Sequence, residues 1–135
     1  MDSILLLTRK GATCSELLSC LYTLKPIEME VLFEVARRDQ STLDQIADAV
    51  KRDRSTVHRC LSKLVSLDLV YKRVKTLKDG GYYHIYMTVE ESKIKEQASL
   101  RVKEITQSLE KLVDNFITDF HRLRSGVPSS KLHAS

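Results

Sequence analysis

The stretch DRSTVHRCLSKL, residues 53–64, orders its bases, hydroxyls and apolar residues so that two faces emerge. On a helical wheel advancing about 100° per residue, Val57, Cys60, Leu61, Leu64 and Val65 gather on one side. Ser55, Arg59, Ser62, Lys63 and Ser66 occupy the other, with Thr56 and His58 on its flanks. No acid interrupts the polar face before Asp68. An ordinary solvated face mixes Glu with Lys, because opposite charges one turn apart support the helix. Ser and Thr are mediocre helix formers, so a face filled with them has a cost. That cost makes sense where the backbone must approach another surface closely. Short hydroxyls let a helix sink into the DNA major groove. Arg59 then pairs with guanine edges, while the hydroxyls reach bases or phosphates.

Other chemistry has little support. No GxSxG, HExxH, P-loop or paired-carboxylate constellation is present, so no enzyme and no cofactor are expected. The four histidines, His58, His84, His121 and His133, lack metal-ligand spacing. Cys14, Cys20 and Cys60 are an odd set without a CxxC pair. They read as plain buried or half-buried thiols in a reducing interior. A redox or metal role with His58 or His84 is the minor alternative.

The positive charge clusters around the opening stretch. Residues 1–50 carry five bases against eight acids, residues 51–84 nine against three, and residues 85–123 six against seven. A local excess of this size is what a polyanion-binding face needs. The 135 residues suit one domain with an appendage, and 42% are apolar, enough for a core. No apolar run is long enough to span a membrane. The opening MDSILLL begins with an acid and lacks a basic start, so it does not read as a secretion signal, and a cytoplasmic location is expected.

The elements that must position the polar face can be read in order. Residues 15–24 form a short amphipathic helix with Ser15 as its N-cap. Pro26 opens a second helix, PIEMEVLFEVARR, with acids near its start and bases near its end. Thr42 and Gln45 form a capping box for a third helix, residues 43–50. After a three-residue break Asp53 caps a fourth, running to about Leu67, and the pair forms a helix-turn-helix. Residues 70–77 and 82–89 are β-branched and aromatic, with the turn signal KDGG between them. They predict a hairpin packed on one side and wet on the other. Its Tyr82, Tyr83 and Tyr86 are expected to pack rather than stack on bases.

The run from Thr42 to Val70, and above all R-S-T-V-x-R-x-L-x-K-L from Arg54 to Leu64, resembles the helix-turn-helix of winged-helix transcription regulators. With KDGGYYHIY and IEMEVLFEVARR, the chain most resembles the TrmB-like regulators of archaea over roughly residues 15–120. The resemblance implies that Arg54, Ser55, Thr56, His58, Arg59, Ser62 and Lys63 belong to the recognition helix. It implies that Lys75, Lys78 and their turn form the wing. Lys51 stands where such motifs often have Gly, implying a strained or altered turn. Lys25 stands where the family often has a Ser or Thr cap, implying a loosely started second helix. A separate sugar- or metabolite-binding domain of the kind larger relatives carry is not expected within these 135 residues, and an effector is left open.

Residues 90–123 contain no Pro or Gly. Ala98, Val102, Ile105, Leu109, Leu112 and Phe116 step by alternate threes and fours, and Phe120 extends the seam. One long helix that overhangs its own domain is expected, and its apolar seam calls for a second copy of the chain. The fold expected is mainly α with a small β-hairpin: an N-terminal segment 1–14, a winged helix-turn-helix 15–89, a long dimerisation helix 90–123 and a disordered tail 124–135. The function expected is sequence-specific binding of double-stranded DNA as a homodimer, with helix 54–67 in the major groove and wing 70–89 on the backbone or minor groove. The alternative is a winged helix that docks proteins within a larger assembly.

Overall fold

The structure is a computed structural model, and it describes residues 7–126. The expectations for the opening apolar tract and for most of the tail lie outside the described residues. Element order is α1 (Cys14–Tyr22), α2 (Pro26–Arg37), α3 (Leu43–Val50), α4 (Arg54–Ser66), β1 (Val70–Thr76), β2 (Tyr82–Thr88), α5 (Glu91–Asp114) and α6 (Phe116–Arg124). This is the expected mainly helical architecture with one antiparallel hairpin. The chain divides into two compact units, one through Ala98 and one from Ser99.

In the first unit α2 packs against α3, α4 and β2. The core between them holds Val31, Val35, Ile46, Val57, Leu61, Leu64, Leu69 and Val70, each at most 1% exposed. The apolar positions of the opening stretch therefore face inward, as their spacing predicts. Tyr86 and the half-buried Ile94 join the same core.

Local chemistry sets the helix ends. α1 starts one residue earlier than expected, because Thr13, not Ser15, is its cap. Glu16 Oε2 accepts from the Thr13 backbone N–H at 2.8 Å and from its hydroxyl at 2.6 Å. These bonds hold the Glu16 carboxyl at about 2. The signal for Thr13 was a T-x-x-E box. α2 does not start loosely. The Lys25 N–H donates to Glu28 Oε1 at 2.7 Å, so the carboxylate from within the helix does the work of the missing cap. Thr42 and Gln45 form the predicted reciprocal box at 3.0 and 3.2 Å. Lys51 ends α3 in the left-handed region, with φ 57° and ψ 48°. That is the conformation that makes glycine common there.

The hairpin pairs Val70 with Thr88 through Thr76 with Tyr82. Gly80 and Gly81 turn its tip with φ of 91° and 83°. Ser41 adds a single bridge to the free side of β2, with the Tyr86 N–H donating to Ser41 O at 2.7 Å. The ribbon is not simply packed on one side. Near its base the neighbours Ile85 and Tyr86 are both buried, so both faces are covered there. Residues 71–83 are exposed throughout, so the outer ribbon is wet on both faces.

In the second unit the single long helix expected is interrupted. Asn115 adopts φ −94° and ψ 5°, separating α5 from α6. Asn competes poorly for a helical interior, and no side-chain cap bond forms at this break. Within this unit Phe116 and Phe120 stack with ring centroids 5.6 Å apart.

Candidate nucleic-acid interface

α4 fixes the site through its buried side. Val57, Leu61 and Leu64 are fully covered, which forces Arg54, Ser55, His58, Arg59 and Ser62 outward into solvent. Thr56 is half-buried at the edge of this face, and Arg59 lies 3.4 Å from its hydroxyl. At the helix start Asp53 does not bond the backbone ahead of it. Its carboxylate accepts from the Ser55 hydroxyl at 2.6 Å, and that bond holds it below the usual carboxylate range. Arg54 Nε donates to Asp44 Oδ1 on α3 at 2.5 Å, an exposed pair. The two acids bordering the face are thus each engaged with one of its members.

Lys63 has a different place from the rest. Its ammonium donates to Glu28 Oε1 at 2.9 Å and to the Thr23 carbonyl at 3.1 Å. Burial alone would raise the Glu28 carboxyl, but the Lys25 N–H and the Lys63 ammonium outweigh it and hold it below its ordinary value. Lys63 therefore ties α4 to the corner between α1 and α2.

Lys75 and Lys78 are exposed on the hairpin, Lys78 in the tip. The register separates the hairpin bases into two groups. Residues directly opposite one another share a face, so Lys72, Val74 and Thr76 lie with Tyr86, His84 and Tyr82. Arg73 and Lys75 lie on the other face with Ile85 and Tyr83. A groove of about 770 Å³ separates α4 from the hairpin, lined by Arg54, Ser55 and His58 on one side and Lys72, Tyr82 and His84 on the other. From the sequence, Lys72, Arg73, Lys75 and Lys78 are the wing bases offered to phosphates or the minor groove, whereas His84 is not read as a contact. Lys72 is two residues from the buried Val70 and so shares its face.

The cysteines are separate. Cys60 is buried in the core, and burial, then the nearby Glu28, pushes its thiol up, away from the reactive thiolate. Cys14 is exposed and Cys20 half-buried. Among the described residues no cluster of His, Cys, Asp and Glu could hold a metal ion. No helix there is long and apolar enough to cross a membrane.

Of the seam residues, Ala98 is covered within the first unit. Val102, Ile105, Leu109, Leu112, Phe116 and Phe120 all belong to the second unit and are 41–56% exposed.

Comparison with known proteins fits this geometry. Residues 18–92 match the family described as sugar-specific transcriptional regulator TrmB. The uncharacterized protein MJ1503 of Methanocaldococcus jannaschii is 29% identical over 102 residues, covering 76% of this chain and 77% of that protein. A second protein of that organism, MJ1082, is 35% identical over 81 residues, covering 60% of this chain and 67% of its own. Among solved structures, a possible transcriptional regulator from Methanosarcina mazei Go1 matches with a TM-score of 0.69 at 19% identity, over 79% of this chain and 93% of that one. The ST1889 protein from Sulfolobus tokodaii matches at 0.59 and 21% identity, over 70% of this chain and 92% of its own. At these identities the structures show a shared fold. The family match spans more than half of the chain, and with the helix-turn-helix and hairpin in place the protein belongs to the TrmB family of winged-helix transcriptional regulators.

Proposed function

We propose that the protein is a sequence-selective regulator that binds double-stranded DNA as a homodimer in the cytoplasm, with α4 in the major groove and the hairpin on the flanking backbone or minor groove. The observation that carries this reading is the exposed face of α4. Arg54, Ser55, His58, Arg59 and Ser62 project from a helix whose other side is locked into the core. Docking to a protein would not require a face free of acids. Arg59 is the base-reading residue in this account, because a guanidinium can meet guanine O6 and N7 together. Lys78 at the wing tip meets phosphate. Lys63 supports the helix from behind instead of touching DNA.

The apolar residues of the second unit support the dimer. Val102, Ile105, Leu109, Leu112, Phe116 and Phe120 recur at seam spacing and are all exposed. A contiguous apolar line of this kind marks an interaction surface, and a second copy of the chain offers the same line in return. A two-fold dimer would present two copies of α4 to two half-sites.

The test is titration of genomic duplexes across salt. If a dimer neutralises roughly 6–10 phosphates, log K falls with log salt at a slope of about −5 to −9. Failure to bind any genomic duplex at low salt would assign the face to a protein partner.

A further inference from the structure

We propose that a groove formed by α1, α2 and the turn from α3 to α4 binds a small amphipathic anion, whose apolar body lies along α2 and whose charged end is held by Lys51 and Arg52. An occupied groove weakens the hold on DNA, and only this second half rests on the DNA-binding reading. The groove has a volume of about 800 Å³, lies within the first unit and shares no lining residue with the one beside the hairpin. Sites of that size take small organic molecules.

The sequence of α2 explains why the groove exists. Val31, Leu32 and Val35 turn one side of the helix into the core. Met29 and Phe33 fall on another side, in line with Pro26 and Arg37 at steps of three and four. This second stripe runs about 16 Å along the helix. It is incompletely covered, and Phe33 remains 38% exposed. α1 adds Ser19 and the half-buried Cys20 to the lining, and the end of α3 adds Val50. An elongated apolar floor suits a hydrocarbon body.

The lining charges favour an anion at one end of that body. Glu16 is engaged by the Thr13 N–H and hydroxyl, with Arg9 3.9 Å away. Glu34 is buried and shared by Arg37 and by Arg38, the latter at 3.4 Å. Those two carboxylates thus already meet three guanidiniums. Among the described residues Glu30, Lys51 and Arg52 have no ion-pair partner, so two free cations of the lining stand against one free acid. Arg52 donates to the Val50 and Lys51 carbonyls at 3.4 and 3.3 Å, which keeps its guanidinium beside the turn with its charge unmatched. A carboxylate there forms charge-assisted hydrogen bonds with both cations.

The position gives the ligand a route to the DNA face. Lys51 and Arg52 are two of the three residues that join α3 to α4. They are also two of the nine bases in residues 51–84. An anion bound to them cancels part of the positive field that draws a duplex. The coupling is reciprocal, so a bound duplex weakens the anion by the same factor.

The experiment adds decanoate to the full-length chain and follows the backbone amides by NMR, with decanol as the uncharged probe. Decanoate should shift amides within residues 26–37 and 49–52 to saturation, and decanol should bind about tenfold more weakly or less. K51N/R52Q should bind decanoate about tenfold more weakly, Asn being at ease in the left-handed conformation of Lys51. E30Q should bind it at least as well as wild type. The amide spectra confirm that each variant is folded. In a duplex titration at fixed ionic strength, saturating decanoate should weaken wild type about fivefold or more and leave K51N/R52Q unaffected. Shifts confined to residues 99–123 overturn the site, as does equal binding of decanol. Weaker binding by E30Q overturns the anion in favour of a zwitterion. Groove amides that shift with protein concentration alone assign the groove to a second copy and overturn the inference. Duplex affinity unchanged by saturating decanoate overturns the coupling. Absence of duplex binding by wild type overturns the DNA-binding reading and the coupling with it, while the amide shifts still decide the site.

Discussion

Leu61 and Leu109 are the same residue type on two amphipathic helices. The first is fully covered by its own chain, and the second is 49% exposed. The contrast extends to the units around them. Through Ala98, most helices close their apolar faces on one shared core. From Ser99 onward, every described residue except Asp119 is exposed, including seven large aliphatic or aromatic side chains beyond Ile105. Burial of an aliphatic side chain stabilises by about 1.5–3 kcal/mol. The first unit realises that term by folding, whereas the second leaves it unrealised within the chain, and the proposed dimer would realise it. A helical pattern in a sequence therefore predicts an apolar face without saying which molecule covers it.

The contrast can be tested residue by residue. Leu61→Ala should remove a filled core position and destabilise the first unit by about 2–5 kcal/mol, read by chemical denaturation. An effect below about 1 kcal/mol would mean the core around α4 is loosely packed. Leu109→Asp should leave that unit's unfolding nearly unchanged and weaken dimerisation about a hundredfold or more, through an unpaired charge in the proposed seam. Sedimentation of the unaltered chain as a monomer at micromolar concentration would remove the dimer from the account. Arg59→Ala should cost about 1–3 kcal/mol of discrimination between operator and scrambled duplex. Lys78→Ala should instead weaken both about equally. Equal weakening of the two duplexes by Arg59→Ala would make Arg59 a phosphate clamp.

The smallest expected effect concerns the tie behind α4. Lys63→Met should destabilise by about 1 kcal/mol, because the pair with Glu28 is only partly screened from water. Its pH dependence is the sharper test. The folded state holds the Glu28 carboxyl below its ordinary value. That contribution is complete above the ordinary carboxylate range and is lost as pH falls through the lowered folded value. Wild type should therefore lose more stability on acidification than Lys63→Met. Parallel curves would show that the tie does not govern Glu28.

Local signals carried most of the fold. Thr42 and Gln45, Pro26, and the KDGG turn each state a bonding requirement within four residues, and each element appears where expected. Two boundaries were misread for physical reasons. Ser15 and Thr13 are both hydroxyl caps, and only the Glu16 carboxylate, three residues after Thr13, decides between them. Asn115 interrupts a run whose apolar periodicity continues through Phe116 and Phe120, so the periodicity concealed the break. The site was less legible than the fold. Lys63 has the wheel position of a contact residue, but its partner Glu28 is 35 residues away in sequence. Strand alternation already puts Lys72 and Lys75 on opposite faces, and the hairpin register adds which residues of β2 each face holds.

The exposed line from Val102 to Phe120 has a consequence for how such a regulator would respond to its own abundance. If two chains must pair before both recognition helices reach DNA, dimer concentration follows the square of protomer concentration when pairing is incomplete. A twofold fall in synthesis then lowers the DNA-competent species about fourfold. The side chains along α5 and α6 would in that way set a dosage threshold, and tightening or loosening their packing would move it without altering any residue that reads a base.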